Sequence, residues 1–456
     1  MSGLENWSWD YDGWIVLAGM LCAVAASLPG NFLLLRRMSL LGDAISHAIL
    51  PGLAVAFFVS ESRSSVPMFL GAVIVGILTA LFTEWIRNFG DVDEGASMGV
   101  VFTTLFAIGL VMIVQAADHV DLDPGCVLYG AIEMTPLDTL DVAGESIPRV
   151  VIVLGAVTIV NLLFVLMFFK ELKLSAFDPA LSTSVGFSAR LMHYLLMVIV
   201  AVTAVASFET AGNILVVAMF VVPPATAYLL TERLGMMIFC SSMIAILSAV
   251  FGHLSAVLVP HAFGYRSTST SGMIALCAGM LFFVASLVSP RNGVIVRIAR
   301  RQKLAMRILS EDLIALLYRM DERSRDCAVP VQKLSSVLLS RPWLAAWLMN
   351  RNVRKGHVIR SETGFRLTDA GRDLGSVLVR SHRLWEQYLV SEGGVAVDRI
   401  HGQAEKLEHF TNRELRDRLN EVTAAPSTDP HGRRIPSERS KGSGLFVPEE
   451  DQSAFL

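Results

Sequence analysis

Charged residues are scarce in this chain: Asp, Glu, Lys and Arg make up 17% of 456 residues, against 53% for the hydrophobic set, and mean hydropathy is +0.54. That balance excludes an ordinary soluble enzyme. Cysteine is scarcer still. The five, Cys22, Cys126, Cys240, Cys277 and Cys327, are scattered without a CxxC spacing, which argues against a disulfide framework and a thiolate metal cluster. No GxxxxGK[ST] loop occurs, so no Walker-type phosphate cradle is present. The N-terminus lacks the basic region of a cleavable signal peptide. Trp7, Trp9, Asp10, Tyr11 and Asp12 read instead as an interfacial belt before a retained span.

Long apolar runs fill the first 290 positions, and none follows Pro290 that could cross a hydrocarbon core needing about 20 apolar residues. The runs at 14–35, 44–60, 66–86, 96–116, 148–169, 189–208, 212–230, 235–258 and 271–289 predict nine transmembrane helices. An odd number puts the two ends on opposite sides. Placing the N-terminus outside puts Arg36, Arg37, Arg87, Lys170, Lys173, Arg233 and the basic stretch from Arg291 on the cytosolic side, leaving Arg63, Arg149 and Arg266 outside. The expected arrangement is N-out and C-in. Glycines such as Gly71, Gly76, Gly95, Gly99 and Gly109 permit close helix approach. Pro223-Pro224 predicts a helix break, either beside a polar path through the bundle or as a purely structural kink, since proline frees backbone carbonyls.

Asp43 and His47 lie four apart near the second run, on one helix face and able to reach one ion. An ionisable pair in a span is costly in lipid and faces the bundle interior. Oxygen with imidazole suits Mn, Fe or Zn rather than Mg or Ca. An intramembrane hydrogen bond or helix cap is the alternative reading of the same spacing.

The segment Arg37-Met-Ser-Leu-Leu-Gly-Asp-Ala-Ile-Ser-His-Ala-Ile-Leu-Pro-Gly52 closely resembles the permease subunits of ABC importers for manganese, zinc and iron. Further matches are Gly99–Gly109, Leu128-Tyr-Gly130, Ala176-Phe-Asp-Pro-Ala180 with Gly186, and Gly212–Ala227. The resemblance implies a dimeric pore, from two copies or two different permease chains, fed by an extracytoplasmic metal-binding protein and driven by a cytosolic ATPase. It makes Asp43 and His47 gate ligands, and Ala176–Gly186 the ATPase contact.

The second part is polar. Ser310–Met320 predicts an amphipathic helix, Val331–Met349 a helix-turn-helix pair, Val358–Leu367 a wing hairpin, and Thr368 the cap of a helix running to about Val390. Helices are also expected over Asp398–Phe410 and Asn412–Val422, followed by a disordered tail after about Ser437. His382 and Glu386 share a helix face, and His401, Glu405, Glu408 and His409 mark the next helix, a cysteine-free ligand set suited to Mn, Fe or Zn. Solvated surface pairs are the alternative.

Leu367-Thr-Asp-Ala-Gly371, Ser381–Leu389, His401–His409 and Asp429-Pro-His-Gly-Arg-Arg-Ile-Pro436 resemble the diphtheria-toxin-repressor and manganese-dependent repressor family. The resemblance implies one regulatory site at Glu405, Glu408 and His409 with Asp312, and a neighbouring one at His382, Glu386 and His401. Glu405 in place of an iron-type cysteine leans towards manganese. Ala315 stands where manganese-type members offer a carboxylate, and Ser340–Met349 lacks the polar residues that read base edges. DNA then enters as a partner only through sequence-independent phosphate contacts of Arg351, Arg354, Lys355 and Arg360.

The expected fold is an all-α polytopic membrane bundle of about nine transmembrane helices, followed by a mainly α cytosolic winged-helix and helical metal-binding and dimerisation domain. Its expected divisions are a permease domain over 1–290, a basic linker over 291–309, a winged-helix domain over 310–368, a metal-binding domain over 369–436 and a tail over 437–456. The expected function is the inner-membrane permease subunit of an ATP-driven importer for divalent metal, manganese ahead of iron or zinc, that also senses the metal. A membrane-tethered DNA-binding regulator is the rival reading.

Overall fold

The computed structural model describes residues 7–60, 65–117, 132–142, 144–262, 264, 268–290, 293–324, 328–338 and 341–437. Leu128–Gly130, Cys126, Cys327, Arg63, Arg266, Arg291 and the tail from 438 onward lie outside the described residues. The chain forms two compact units, Met1–Arg297 and Ile298–Leu456.

Among the described residues of the first unit, nine helical stretches are long and apolar enough to cross a membrane. In chain order the helices are α1 (Trp9–Leu35), α2 (Leu41–Ala48), α3 (Leu50–Ser60), α4 (Ser65–Gly90), α5 (Glu94–Ala117), α6 (Arg149–Met167), α7 (Phe169–Phe177), α8 (Pro179–Ser184), α9 (Ala189–Leu230), α10 (Leu234–Ala262) and α11 (Thr270–Val288). A hairpin of β1 (Thr139–Val142) and β2 (Glu145–Pro148) precedes α6.

Helix α1 lies at the centre, packed by α6, α9 and α10, with Ala18, Cys22, Ala25, Ala26 and Leu33 fully buried. Small side chains there let the neighbouring backbones close in. Several polar groups inside the bundle find protein partners, as hydrocarbon favours. The Asn161 amide donates to the Ala25 carbonyl at 2.8 Å and to Thr203 Oγ1 at 2.8 Å, and the Asn31 amide to Ser241 Oγ at 2.8 Å.

Two interruptions shape the spans. The second span, Leu41–Ser60, is two helices meeting at Ile49, because Pro51 offers no N–H and its ring opposes the carbonyl of His47. Arg37, at φ 63° in the left-handed region, turns the chain out of α1, with Met38 N–H donating to the Leu33 carbonyl at 2.9 Å, and so sets the start of α2. The second interruption is in α9. Its backbone leaves the helix at Gly212 (φ 75°, ψ 163°), a conformation available to glycine, whereas Pro223 and Pro224 sit within helical backbone. The break expected at the proline pair therefore falls eleven residues earlier by count, 223 less 212.

Helix α12 (Val294–Arg323) begins just ahead of Ile298 and runs on into the second unit, taking in most of the expected basic linker, with no proline among its 30 residues. Then come α13 (Val331–Val337), α14 (Pro342–Arg354), the wing β3 (Val358–Ser361) with β4 (Gly364–Leu367), α15 (Asp369–Ser391), α16 (His401–Glu408) and α17 (Arg413–Val422). Thr368 Oγ1 accepts from Gly371 N–H at 3.0 Å and Asn412 Oδ1 from Leu415 N–H at 2.8 Å, the N-caps that start α15 and α17. Leu313, Leu317, Leu334, Leu348, Phe365 and Leu378 form the core of this unit. Helix α14 buries Ala345, Leu348 and Met349 but leaves Trp343 and Trp347 exposed, so it packs on one face only.

The crossing of α3 and α4 tests the packing directly. A Cβ on Gly71 would strike the carbonyl oxygen of Gly52 and sit 2.8 Å from Ala56 Cβ. Gly71→Ala is expected to cost about 1–3 kcal/mol, lowering the melting temperature of the detergent-solubilised chain in a thermal scan. An unchanged transition would show that the two helices part freely.

Candidate metal centres

In the first unit α2 presents Asp43 and His47 one turn apart, with Oδ1 and Nε2 3.4 Å from each other. Both side chains are partly exposed, Asp43 at 41% and His47 at 34%, so this pair meets open space at a surface of the single chain. Phe102 and Phe106 of α5 flank the imidazole, with ring centroids 6.0 and 6.1 Å away. From the other side Asn213, the residue after the break in α9, brings Nδ2 to 3.3 Å from His47 Nε2.

At Ala176–Gly186, Asp178 Oδ1 accepts from Leu181 N–H at 2.9 Å, capping α8 with Pro179 in its first turn, and Gly186 closes the segment at φ 96°. Arg36, at the end of α1, reaches α7 just before this segment. Its Nη2 donates to Ser175 Oγ at 2.7 Å and its Nη1 meets His193 Nδ1 at 3.1 Å, while His193 Nε2 meets Glu84 Oε2 at 3.2 Å.

Among the described residues of the second unit there are two ligand groups. In the first, His382 Nε2 and His401 Nδ1 lie 3.1 and 3.0 Å from Glu386 Oε1 and 3.0 Å from each other. His382 and Glu386 are buried, whereas His401 is 57% exposed and leaves an open side. His431, held in the turn that Asp429 caps, brings Nε2 to 3.9 Å from Glu386 Oε1. The second group is Asp312 of α12 with Glu408 and His409: His409 Nε2 is 3.0 Å from Asp312 Oδ1 and 3.5 Å from Glu408 Oε1. Glu408 joins the two groups, since its other oxygen sits 2.5 Å from His382 Nδ1.

Burial alone would lower the pKa of His409, but the Asp312 and Glu311 carboxylates against its ring push it up to about 10. His382 is likewise raised: burial opposes it, and Glu386 and Glu408 outweigh burial. Burial would raise Glu386, yet the His382 and His401 imidazoles pull it down to about 2. Anionic oxygens thus stand against each imidazole, a donor set that could hold a divalent cation. His409 Nε2 supports that fit. It is buried, faces two carboxylate oxygens, and makes no well-directed hydrogen bond to either.

Of the residues expected from the sequence, Asp43 and His47 stand together, as do His382, Glu386 and His401, and Asp312, Glu408 and His409. Glu405 does not join them; it is exposed on α16. The buried residues of this short helix are Ala404 and Glu408, with His409 buried just past its end. Two neighbours carried no sequence signal. Glu311 places Oε2 2.8 Å from His409 Nδ1, and Asn213 reaches His47 from a distant helix.

Comparison with known proteins finds two families along the chain. The ABC 3 transport family matches residues 10–289, and the iron dependent repressor, metal binding and dimerisation domain, matches residues 368–437. The manganese transport system membrane protein MntD of Bacillus subtilis (strain 168) is 40% identical over 289 residues, 63% of this chain and 95% of that protein. The zinc transport system membrane protein TroD of Treponema pallidum (strain Nichols) is 38% identical over 317 residues, 69% of this chain and 84% of its own. Among solved structures, PsaBC from Streptococcus pneumoniae in complex with Fab superposes with a TM-score of 0.52 at 28% identity, covering 64% of this chain and 95% of that one.

The raised imidazoles set a pH dependence. A group whose folded pKa exceeds its ordinary value stabilises the fold fully below that value, so in the metal-free protein His409 contributes below pH 6.5 and loses the contribution as pH climbs towards about 10. Metal reverses the trend, because coordination through nitrogen must displace the proton. Between about pH 6 and pH 8 the apparent manganese affinity of the second unit is expected to rise about tenfold per pH unit for each proton displaced. Competition against a fluorescent chelator measures it, and a flat profile would exclude the imidazoles as ligands.

Proposed function

This chain belongs to the ABC 3 transport family, and we propose that it is the permease subunit of an importer for a divalent transition metal, manganese ahead of iron or zinc, with a C-terminal unit that senses the imported metal. It is a multi-pass membrane protein and a transporter rather than an enzyme. The observation that carries the transport reading is the Asp43–His47 pair, one carboxylate and one imidazole 3.4 Å apart beside a helix interruption in a membrane span. Such a pair is costly in lipid and is retained where it faces a path for ions. The partial exposure of both side chains in one chain fits a pore shared with a second permease chain, identical or not.

The cation is substrate, received from an extracytoplasmic binding protein. Asp43 and His47 replace part of its hydration shell while it passes between states open to either side. ATP hydrolysis comes from a separate cytosolic ATPase docking at Ala176–Gly186. The Arg36 bridge from Ser175 to the turn before α2 is the physical link by which movement of that segment reaches Asp43. The C-terminal unit lies in the cytosol, consistent with the basic residues of α12 and an odd span count.

Sensing rests on the two ligand groups of the second unit. Metal bound there draws α12, α15 and α16 together, because ligands from separate helices lower the free energy only when those helices are packed. A ligand shifts an equilibrium only through differential affinity, so the transport cycle contains states that hold these helices differently.

Asp43→Ala and His47→Ala are each expected to abolish manganese uptake in vesicles containing the chain and its ATPase, with membrane insertion unchanged. Wild-type rates in both would remove the pair from the transport path. A reporter fused at the C-terminus is expected to be active on the cytosolic side; activity on the opposite side alone would reverse the topology.

A further inference from the structure

Asn213 is 6% exposed, and its amide is incompletely satisfied: Nδ2 faces His47 Nε2 at 3.3 Å, while Oδ1 is buried without a hydrogen-bond partner. An unpaired buried amide oxygen costs free energy, more so in a membrane bundle where water does not compensate. Turning the amide about its terminal bond exchanges O for N and leaves the other group unpaired, so neither orientation satisfies it. A cation at this point would. The amide oxygen then becomes a donor to the ion, and His47 Nε2 is released to do the same.

The spacing agrees. Donors about 2.0–2.2 Å from a first-row divalent ion stand about 3 to 3.5 Å from one another around it. The two separations from His47 Nε2, 3.4 Å to Asp43 Oδ1 and 3.3 Å to Asn213 Nδ2, the position that the amide oxygen takes when the side chain turns, both fall in that interval. The backbone accounts for the placement. The left-handed turn at Gly212 takes Asn213 out of the register of the preceding half of α9 and sets its amide beside α2.

We propose that Asn213 is a third, neutral oxygen donor to the transported ion and that it biases the site towards manganese over zinc. The proposal rests on the reading of Asp43 and His47 as substrate ligands. Carbonyl oxygen is a hard donor that suits Mn2+ and its preference for more oxygen ligands, whereas Zn2+ is content with few ligands and favours nitrogen and sulfur. A neutral third donor also leaves the ion held by one full negative charge in each chain, so binding stays weak enough for release.

The test uses the full chain in lipid nanodiscs, with His382→Ala, Glu408→Gln and His409→Ala introduced so that the membrane site alone is read. Mn2+ binding is followed by loss of the free-ion electron paramagnetic resonance signal, and Zn2+ binding by competition. Asn213→Leu, similar in volume but without a donor, is expected to weaken Mn2+ binding by about tenfold or more and Zn2+ binding by clearly less. Asn213→Asp, which keeps an oxygen in place, is expected to restore Mn2+ binding and slow its release. Mn2+ affinity within about twofold of the parent in Asn213→Leu overturns the assignment. Equal losses for both metals without rescue by Asp also overturn it, since that pattern is a packing defect. Asp43→Ala and His47→Ala are measured alongside: if they too bind Mn2+ like the parent, the membrane site itself has been misplaced, a failure distinct from that of Asn213.

Discussion

In hydrocarbon every backbone N–H and C=O must find its partner within the protein, and the helix is the means by which a single span achieves it. Most described spans obey that constraint without interruption. The departures at Ile49 and at Gly212 fall against each other in space: Asn213 after one touches His47 before the other. Where spans break their own hydrogen bonding, polar groups are freed beside the one carboxylate–imidazole pair of α2. The rest of the bundle holds these two irregular helices against regular ones. Gly52 against Gly71 and the small residues of α1 are the close approaches that make this feasible.

The second unit solves a different electrostatic problem with similar groups. Buried carboxylates such as Glu386 and Glu408 need positive charge near them, and the imidazoles of His382 and His409, whose pKa values neighbouring carboxylates raise, stand against them. Glu408 touches an imidazole in each ligand group, so a change at one group alters the charge felt at the other. Asp312, which reaches His409 in the second group, stands on α12, the helix that follows the last span in sequence. In the first group, exposed His401 leaves one side open for an ion to enter. The Arg383 guanidinium, which donates to both oxygens of Glu322 at 3.0 and 2.7 Å, ties α15 to the end of α12 independently of metal.

Much of this was legible in the sequence, because hydropathy and capping are local properties. Nine apolar runs predict nine spans, Thr368 and Asn412 announce the helices they cap, and the i, i+4 spacing of Asp43 with His47 and of His382 with Glu386 defines their shared faces. What the sequence hid is what depends on distant contact or on one dihedral angle. Pro223-Pro224 carries the stronger local signal for a break, yet the bundle keeps it helical and Gly212 takes the left-handed turn instead. Glu311 lies next to Asp312, and adjacency on a helix gives no reason for both to meet His409; the ring does so by turning one nitrogen to each. Glu405 lies on the face of a short helix that turns away from the core.

The central claim is that one chain both carries the metal and responds to it. The most direct measurement is the initial rate of manganese uptake into vesicles containing the full chain and its ATPase, as free Mn2+ on the C-terminal side is varied, for the wild type and for Glu408→Gln. Import raises the metal that the second unit binds, so the account predicts that the wild-type rate falls as free Mn2+ passes through the affinity of that unit, while the variant transports at a rate indifferent to it. The same dependence in both proteins, or none in the wild type, would contradict it.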